Sequence, residues 1–160
     1  MTDEQQPKCF QDALDFAARK HAGQYRKGGE AYITHPIAVA QILREKGYDL
    51  TYQICGLFHD LLEDTDATEE EILALGGPVV LETVKLLTKY PGFVMAEYVH
   101  NIHAHPIARA VKAADRLHNV RSAVTTDEDF KRRYILDTKR WYLDFDEDIA
   151  TALTALEQTL

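Results

Sequence analysis

The sequence predicts an all-α fold, and three observations carry that prediction. Apolar residues recur three and four positions apart along most of the chain, which lines one face of each successive helix. Prolines, glycines and a capping pair fall where those apolar stripes start and stop. No segment shows the apolar–polar alternation of a half-buried strand, and no repeat or low-complexity tract interrupts the pattern.

The elements follow in order. Phe10, Ala13, Leu14 and Ala17 define the first helix. Pro36 opens the second, which carries Ile37, Ala40 and Leu43 and stops at Gly47. The third runs from about residue 50 to 63. Thr68 and Glu71 make a capping box for a short helix that ends at Gly76–Gly77. Pro78 then opens a helix with Val80, Val84 and Leu87, and Tyr90-Pro91-Gly92 is a turn. Further helices are expected at about 93–103, 106–124, 128–143 and 146–158. The one long irregular stretch, HAGQYRKGGEAYITH at 21–35, holds three glycines, and such loops inside compact domains are often functional. Short polar connections between many helices give one globular domain over residues 1–160.

Composition narrows the function. Of 160 residues, 46 % are hydrophobic, enough for a sizeable core. No apolar run is long enough to span a bilayer, and the opening MTDEQQPKCF lacks the layout of an export signal. A cytoplasmic protein away from membranes is expected. The formal net charge of −8 argues against a nucleic-acid binder, which would be basic. It leaves room for a local basic pocket that takes an anionic small molecule. Cys9 and Cys55 form no CxxC pair, so a thiolate zinc site is not expected, and Cys55 falls on an apolar helix face as a packing residue.

The stretch CGLFHDLLEDT, residues 55–65, sets ionisable groups beside an apolar face. Leu57, Phe58, Leu61 and Leu62 form that face, and His59, Asp60, Glu63 and Asp64 stand next to it. Adjacent helical residues point about 100° apart. His59 and Asp60 therefore serve one site only if it lies between those directions, as an ion resting on the helix would. An imidazole with a carboxylate suits a divalent ion such as Mn²⁺, Fe²⁺ or Zn²⁺. Glu63 and Asp64, four residues on, are placed on the same faces, where carboxylates beside a metal act as general acid or base. The competing reading is a solvated acidic helix end. Two distant segments bear on the choice. His35 directly precedes Pro36, a fixed place to present an imidazole. Asp115 lies mid-helix amid Ala108, Val111, Ala114 and Leu117, so it needs either an arginine or a metal as partner, and Asn119 shares its face.

HAGQYRKGGEAYITHPIAVA, LFHDLLEDTDAT and VKAADRLHNVRS resemble, in order and spacing, the hydrolase domain of the RelA/SpoT-type alarmone enzymes. The blocks cover rather over a quarter of the chain, which looks like a single-domain small alarmone hydrolase of the HD superfamily. The resemblance implies an HD-domain helical bundle with a metal site in a central cleft. It implies metal-dependent removal of the 3′-pyrophosphate of guanosine tetra- or pentaphosphate, with GDP or GTP as the other product. It implies Mn²⁺, with other divalent ions as alternatives, held by His35, His59, Asp60 and Asp115. Glu63 and Asp64 match the family's catalytic acidic pair, their two roles undivided. Arg26 and Lys27 match loop residues beside the nucleobase, and Asn119 an asparagine lining the nucleotide site. The phosphates need cationic support, for which Lys112, Arg116, Arg133 and Lys139 are candidates and Arg121 a weaker one. Synthesis of the alarmone is not expected, because no synthetase domain follows.

The chain departs from the family in three places. RKGG has Gly28 where a serine is common, VKAAD replaces VKLAD, and LLTKYPGFVMAEYVHNI is closer to a group of short bacterial HD proteins. A second substrate class is therefore another phosphorylated nucleotide, such as NADPH or a deoxynucleotide. A third reading is a non-catalytic nucleotide-binding module, against which the presence of both Glu63 and Asp64 speaks.

Several residues carry two readings each. Arg26 and Lys27 are a solvated pair or, as their glycine-flanked loop favours, ligand contacts. Tyr32 is a packing residue or a wall of the substrate pocket. His100 and His103 in HNIHAH are a metal cluster or, as favoured, an exposed helix end; His21 is a pocket-edge residue or, as favoured, a structural hydrogen-bonding one; His118 is a support for a ligand carboxylate. In KRRYILDTKR, Arg133 or Lys139 turns toward phosphate, or the segment is a surface helix paired with the acids before it.

Overall fold

In the computed structural model, which describes residues 5–160, the chain is helical nearly throughout, and no strand forms among the described residues. The helices are α1 (Gln5–Lys20), α2 (Thr34–Glu45), α3 (Leu50–Phe58), α4 (Leu61–Asp64), α5 (Glu69–Leu87), α6 (Met95–Ala104), α7 (Pro106–Ser122), α8 (Glu128–Trp141) and α9 (Glu147–Glu157). A 3-10 turn, Ala123–Thr125, links α7 to α8.

Local chemistry sets most boundaries. Asp49, Asp127 and Asp146 cap α3, α8 and α9, each carboxylate accepting a backbone N–H of the first turn. Thr68 and Glu71 form the expected reciprocal capping box on α5. His105 caps α7 by accepting the Ala108 N–H, and Pro106 occupies the first turn. The expected break at Gly76–Gly77 is a kink inside α5, where Gly77 adopts φ 84°, ψ 177°. The loop between α1 and α2 is closed by an isolated antiparallel bridge between Tyr25 and Ala31.

The helices pack around two central members. α3 lies against α1, α2, α5 and α7, and α7 lies against α2, α3, α5, α6 and α9. Leu57, Phe58, Leu61, Val111 and Leu117 fill the space between them and are all buried. Gly56 brings α2 and α3 together, since a Cβ there would stand 3.0 Å from Leu43 Cδ1 and 3.2 Å from Val39 Cγ1. Cys55 is buried in the same layer, and burial pushes its thiol up to about 12, as a packing residue requires. No helix among the described residues is long and apolar enough to cross a membrane.

Two expectations need correction. Residues 50–63 are not one helix: α3 ends at Phe58, and α4 starts at Leu61. The His59 imidazole donates from Nδ1 to the Gly56 carbonyl at 2.7 Å. That is the carbonyl a continuing helix would give to the Asp60 N–H. The chain turns at Asp60, which has φ −120° and ψ 10°. His35 also lies inside α2, as its second residue, rather than just before it.

Gly77 sits in a backbone region that only glycine occupies without strain, so Gly77→Ala should lower unfolding stability by about 1–3 kcal/mol. Equilibrium denaturation by urea measures this, with the slope unchanged.

Candidate active site

α2, α3 and α7 meet at a buried point, and each delivers one polar group to it. His35 comes from the first turn of α2, His59 from the end of α3, and Asp115 from the middle of α7. His35 Nε2 lies 2.7 Å and His59 Nε2 3.3 Å from the same atom, Asp115 Oδ1. All three ligand atoms fall within 4.8 Å of one another, an arrangement that could hold a metal ion.

The hydrogens decide what this cluster needs. The Gly56 carbonyl only accepts, so His59 Nδ1 carries the hydrogen and a neutral His59 has a bare Nε2. His118 Nδ1 lies 2.9 Å from the Arg26 guanidinium, which only donates, and so it acts as an acceptor. It also lies 2.8 Å from His35 Nδ1, which therefore carries its own hydrogen and leaves His35 Nε2 bare. These tautomers are assigned from the partners rather than observed. As neutral rings, both histidines turn a bare nitrogen toward one carboxylate oxygen, and acceptors so placed need a positive charge between them, a proton or a metal cation. Burial opposes charge on His59, but Asp60 and Asp115 outweigh it and raise its pKa to about 9. Burial also lowers the pKa of His35, against the pull of Asp115. The donor set of two imidazoles and a carboxylate fits a divalent cation of the borderline or hard class.

Around this point each side chain is oriented. Lys112 Nζ sits 3.2 Å from Asp115 Oδ2, which leaves Oδ1 for the cluster. Asn119 Nδ2 also reaches Asp115 Oδ1, at 3.3 Å, while its Oδ1 accepts from Arg26 at 2.8 Å. Asp60 stands at the rim rather than in the tight group, with Oδ2 3.7 Å from His59 Nε2. Its Oδ2 accepts from the Tyr32 hydroxyl, and its Oδ1 lies 3.2 Å from buried His21 Nε2. Burial would raise the Asp60 pKa, but His59, His21 and Tyr32 together hold it below the usual carboxylate range.

Glu63 and Asp64 are exposed on α4 beside this rim. Glu63 Oε1 accepts the Lys89 N–H at 2.6 Å. Burial, then the charges of Asp60 and Glu63, raises the Asp64 pKa. On the Asn119 side opens a cavity of about 540 Å³. Its lining includes Arg26, Lys27, Tyr32, His118, Asn119, Phe130 and Tyr134. The Lys27 ammonium lies over the Phe130 ring, 4.3 Å from its centroid.

The structure therefore brings His35, His59, Asp60, Asp115, Tyr32, Asn119 and Lys112 together, with Arg26 and Lys27 on the cavity wall and Glu63 and Asp64 at the rim. It does not bring Arg133 or Lys139. Arg133 is exposed and bonds back to the Asp129 carbonyl, and Lys139 pairs with Glu157 of α9 at 3.3 Å. The face of α8 toward the cavity carries Phe130 and Tyr134 instead, an i,i+4 aromatic pair that the basic run around it concealed. Arg116 is committed to Asp137 at 2.6 Å and to Thr138. His118 supports a ligand imidazole rather than a carboxylate, and His21 holds Asp60, a contact with no marker in the sequence. His103 pairs with Asp144, and His105 caps α7.

The HD domain family model matches residues 13–101. A guanosine-3′,5′-bis(diphosphate) 3′-pyrophosphohydrolase of Aquifex aeolicus is 37 % identical over 141 residues, 83 % of this chain and 20 % of that protein. A GTP pyrophosphokinase of Myxococcus xanthus is 37 % identical over 140 residues, 79 % of this chain and 18 % of that protein. The chain thus spans about a fifth of the length of these curated relatives. A solved structure described as a metazoan orthologue of SpoT that hydrolyses ppGpp superposes with a TM-score of 0.77 at 25 % identity, covering 94 % of this chain and 93 % of that one. The match covers more than half of the chain and includes His35, His59 and Asp60, and on that evidence the chain belongs to the HD domain family.

Proposed function

We propose that the chain hydrolyses the 3′-pyrophosphate of guanosine tetra- or pentaphosphate, with Mn²⁺ as the working cation. The convergence of His35 Nε2, His59 Nε2 and Asp115 Oδ1 beside an open, partly cationic cavity carries this reading. The Aquifex relative and the metazoan structure, both named for this reaction, support the substrate. The Myxococcus relative, named for synthesis, is about five times longer than the matched segment, so its name gives no reason to assign synthesis here.

His35, His59 and Asp115, with Asp60 beside them, would hold the cation, which would supply Lewis-acid polarisation of phosphate and water. The chain's own residues do the rest. Arg26 and Lys27 line the cavity as planar and point cations for the purine and its 5′-phosphates. Asn119 bonds both Arg26 and Asp115, which supports a position for the ribose between cavity and metal ligands. Water adds to the phosphorus that bears O3′, and the P–O3′ bond breaks with its electron pair going to O3′. One proton leaves the water, and one is delivered to O3′. Glu63 and Asp64 are the groups at hand, and the raised pKa of Asp64 suits it to hold a proton between these events.

Purified protein with Mn²⁺ should release pyrophosphate and GDP from guanosine tetraphosphate. Asp115→Ala should lose bound metal and turnover together, whereas Glu63→Gln should keep the metal and lose about 10²–10⁴-fold in kcat. Orthophosphate from another nucleotide, with the alarmone untouched, would move the substrate to the second class. His118→Phe removes the acceptor that fixes the His35 tautomer and should weaken Mn²⁺ binding about 10–100-fold by calorimetric titration.

A further inference from the structure

We infer that Lys89, with Lys112 behind it, binds the distal phosphate of the substrate's diphosphate and so selects a 3′-diphosphate over a 3′-monophosphate. The direction in which the substrate lies rests on the proposed function; the anion site itself does not.

Three cations, Lys89, Lys112 and Arg116, gather beside Asp115. Lys112 is committed to Asp115 Oδ2 at 3.2 Å, and Arg116 to Asp137 at 2.6 Å. Lys89 is half-buried, yet no carboxylate stands in ion-pair contact with its ammonium among the described residues. It is packed instead over the rings of Phe93 and Tyr98, 5.6 and 5.5 Å from their centroids. Lys112 lies 5.8 Å from the same Tyr98 ring, so two ammonium groups share one aromatic face or its reverse. Burial, then the charges of Lys112 and Arg116, lowers the Lys89 pKa, a strain that a bound anion relieves.

The helix α7 fixes the order of these groups. Asp115 touches Asn119 one turn toward the C-terminus and Lys112 one turn toward the N-terminus. The nucleoside cavity opens on the Asn119 side. A nucleotide with its base in that cavity and its 3′-phosphorus at the metal ligands sends its second phosphate toward Lys112 and Lys89. A monophosphate at the metal ligands lies beside Lys112 but lacks the second phosphate that Lys89 would take. The Lys89 N–H also donates to Glu63 Oε1, so the segment that presents the ammonium is tied to one of the acidic pair. That bond uses the backbone and survives substitution of the side chain.

The test uses inorganic pyrophosphate and inorganic orthophosphate, titrated calorimetrically in separate runs into protein with Mn²⁺ in excess over both. Lys89→Met should bind Mn²⁺ as the parent does, lose about tenfold or more in pyrophosphate affinity and change by less than about twofold for orthophosphate. Lys89→Arg should retain pyrophosphate binding. Unchanged pyrophosphate affinity in Lys89→Met, or equal loss of both anions, would overturn the inference. Selective loss of pyrophosphate in a protein that leaves guanosine tetraphosphate intact would uphold the anion site and overturn the substrate reading.

Discussion

Two imidazole nitrogens and one carboxylate oxygen, all buried, point at a common centre, and the fold around them makes sense only with positive charge there. As neutral rings His35 and His59 both turn a bare nitrogen inward, because Gly56 and His118 hold their other nitrogens as donors. Removing such groups from water without compensation costs several kcal/mol. The layers outward from the centre then read as answers to that constraint. Lys112 occupies the second oxygen of Asp115, Arg26 locks His118 and Asn119, and Tyr32 with His21 holds Asp60.

The helical frame is what makes the convergence possible. Close approach of α2 and α3 at Gly56 sets the His35 and His59 rings 5.2 Å apart, edge to face. The turn at His59–Asp60 is part of the same device, since the imidazole that ends α3 is the one aimed at Asp115. Asp60, released from helical geometry, swings to the rim and meets Tyr32 and His21. On either side of this centre the molecule differs in character. Toward Asn119 lies a roomy cavity with aromatic and planar cationic walls; toward Lys112, ammonium groups gather around phenol rings.

Much of this was legible in the residues. The helix order followed from apolar spacing, and the capping box at Thr68 and the break at Gly76–Gly77 before Pro78 were visible as local chemistry. Asp115 was marked by its apolar neighbours, because a buried carboxylate must have a partner. The break inside residues 50–63 was not legible, because it depends on a side chain capturing a carbonyl, and the apolar spacing of Leu57, Phe58, Leu61 and Leu62 looks the same on both sides. The inward face of α8 stayed open between two readings for a related reason. Five basic residues at 131–140 drew attention to charge, while the i,i+4 pair Phe130 and Tyr134 decides which way the helix turns. His21 and Lys89 carry no motif; their positions follow from tertiary packing alone.

The central claim is that His35, His59 and Asp115 hold a divalent cation together. X-ray diffraction from crystals grown with Mn²⁺, recorded at the manganese edge, tests it most directly. The account predicts one strong anomalous peak at about 2.0–2.3 Å from His35 Nε2, His59 Nε2 and Asp115 Oδ1. A cluster without such a peak, with manganese bound only by exposed carboxylates elsewhere, would contradict it.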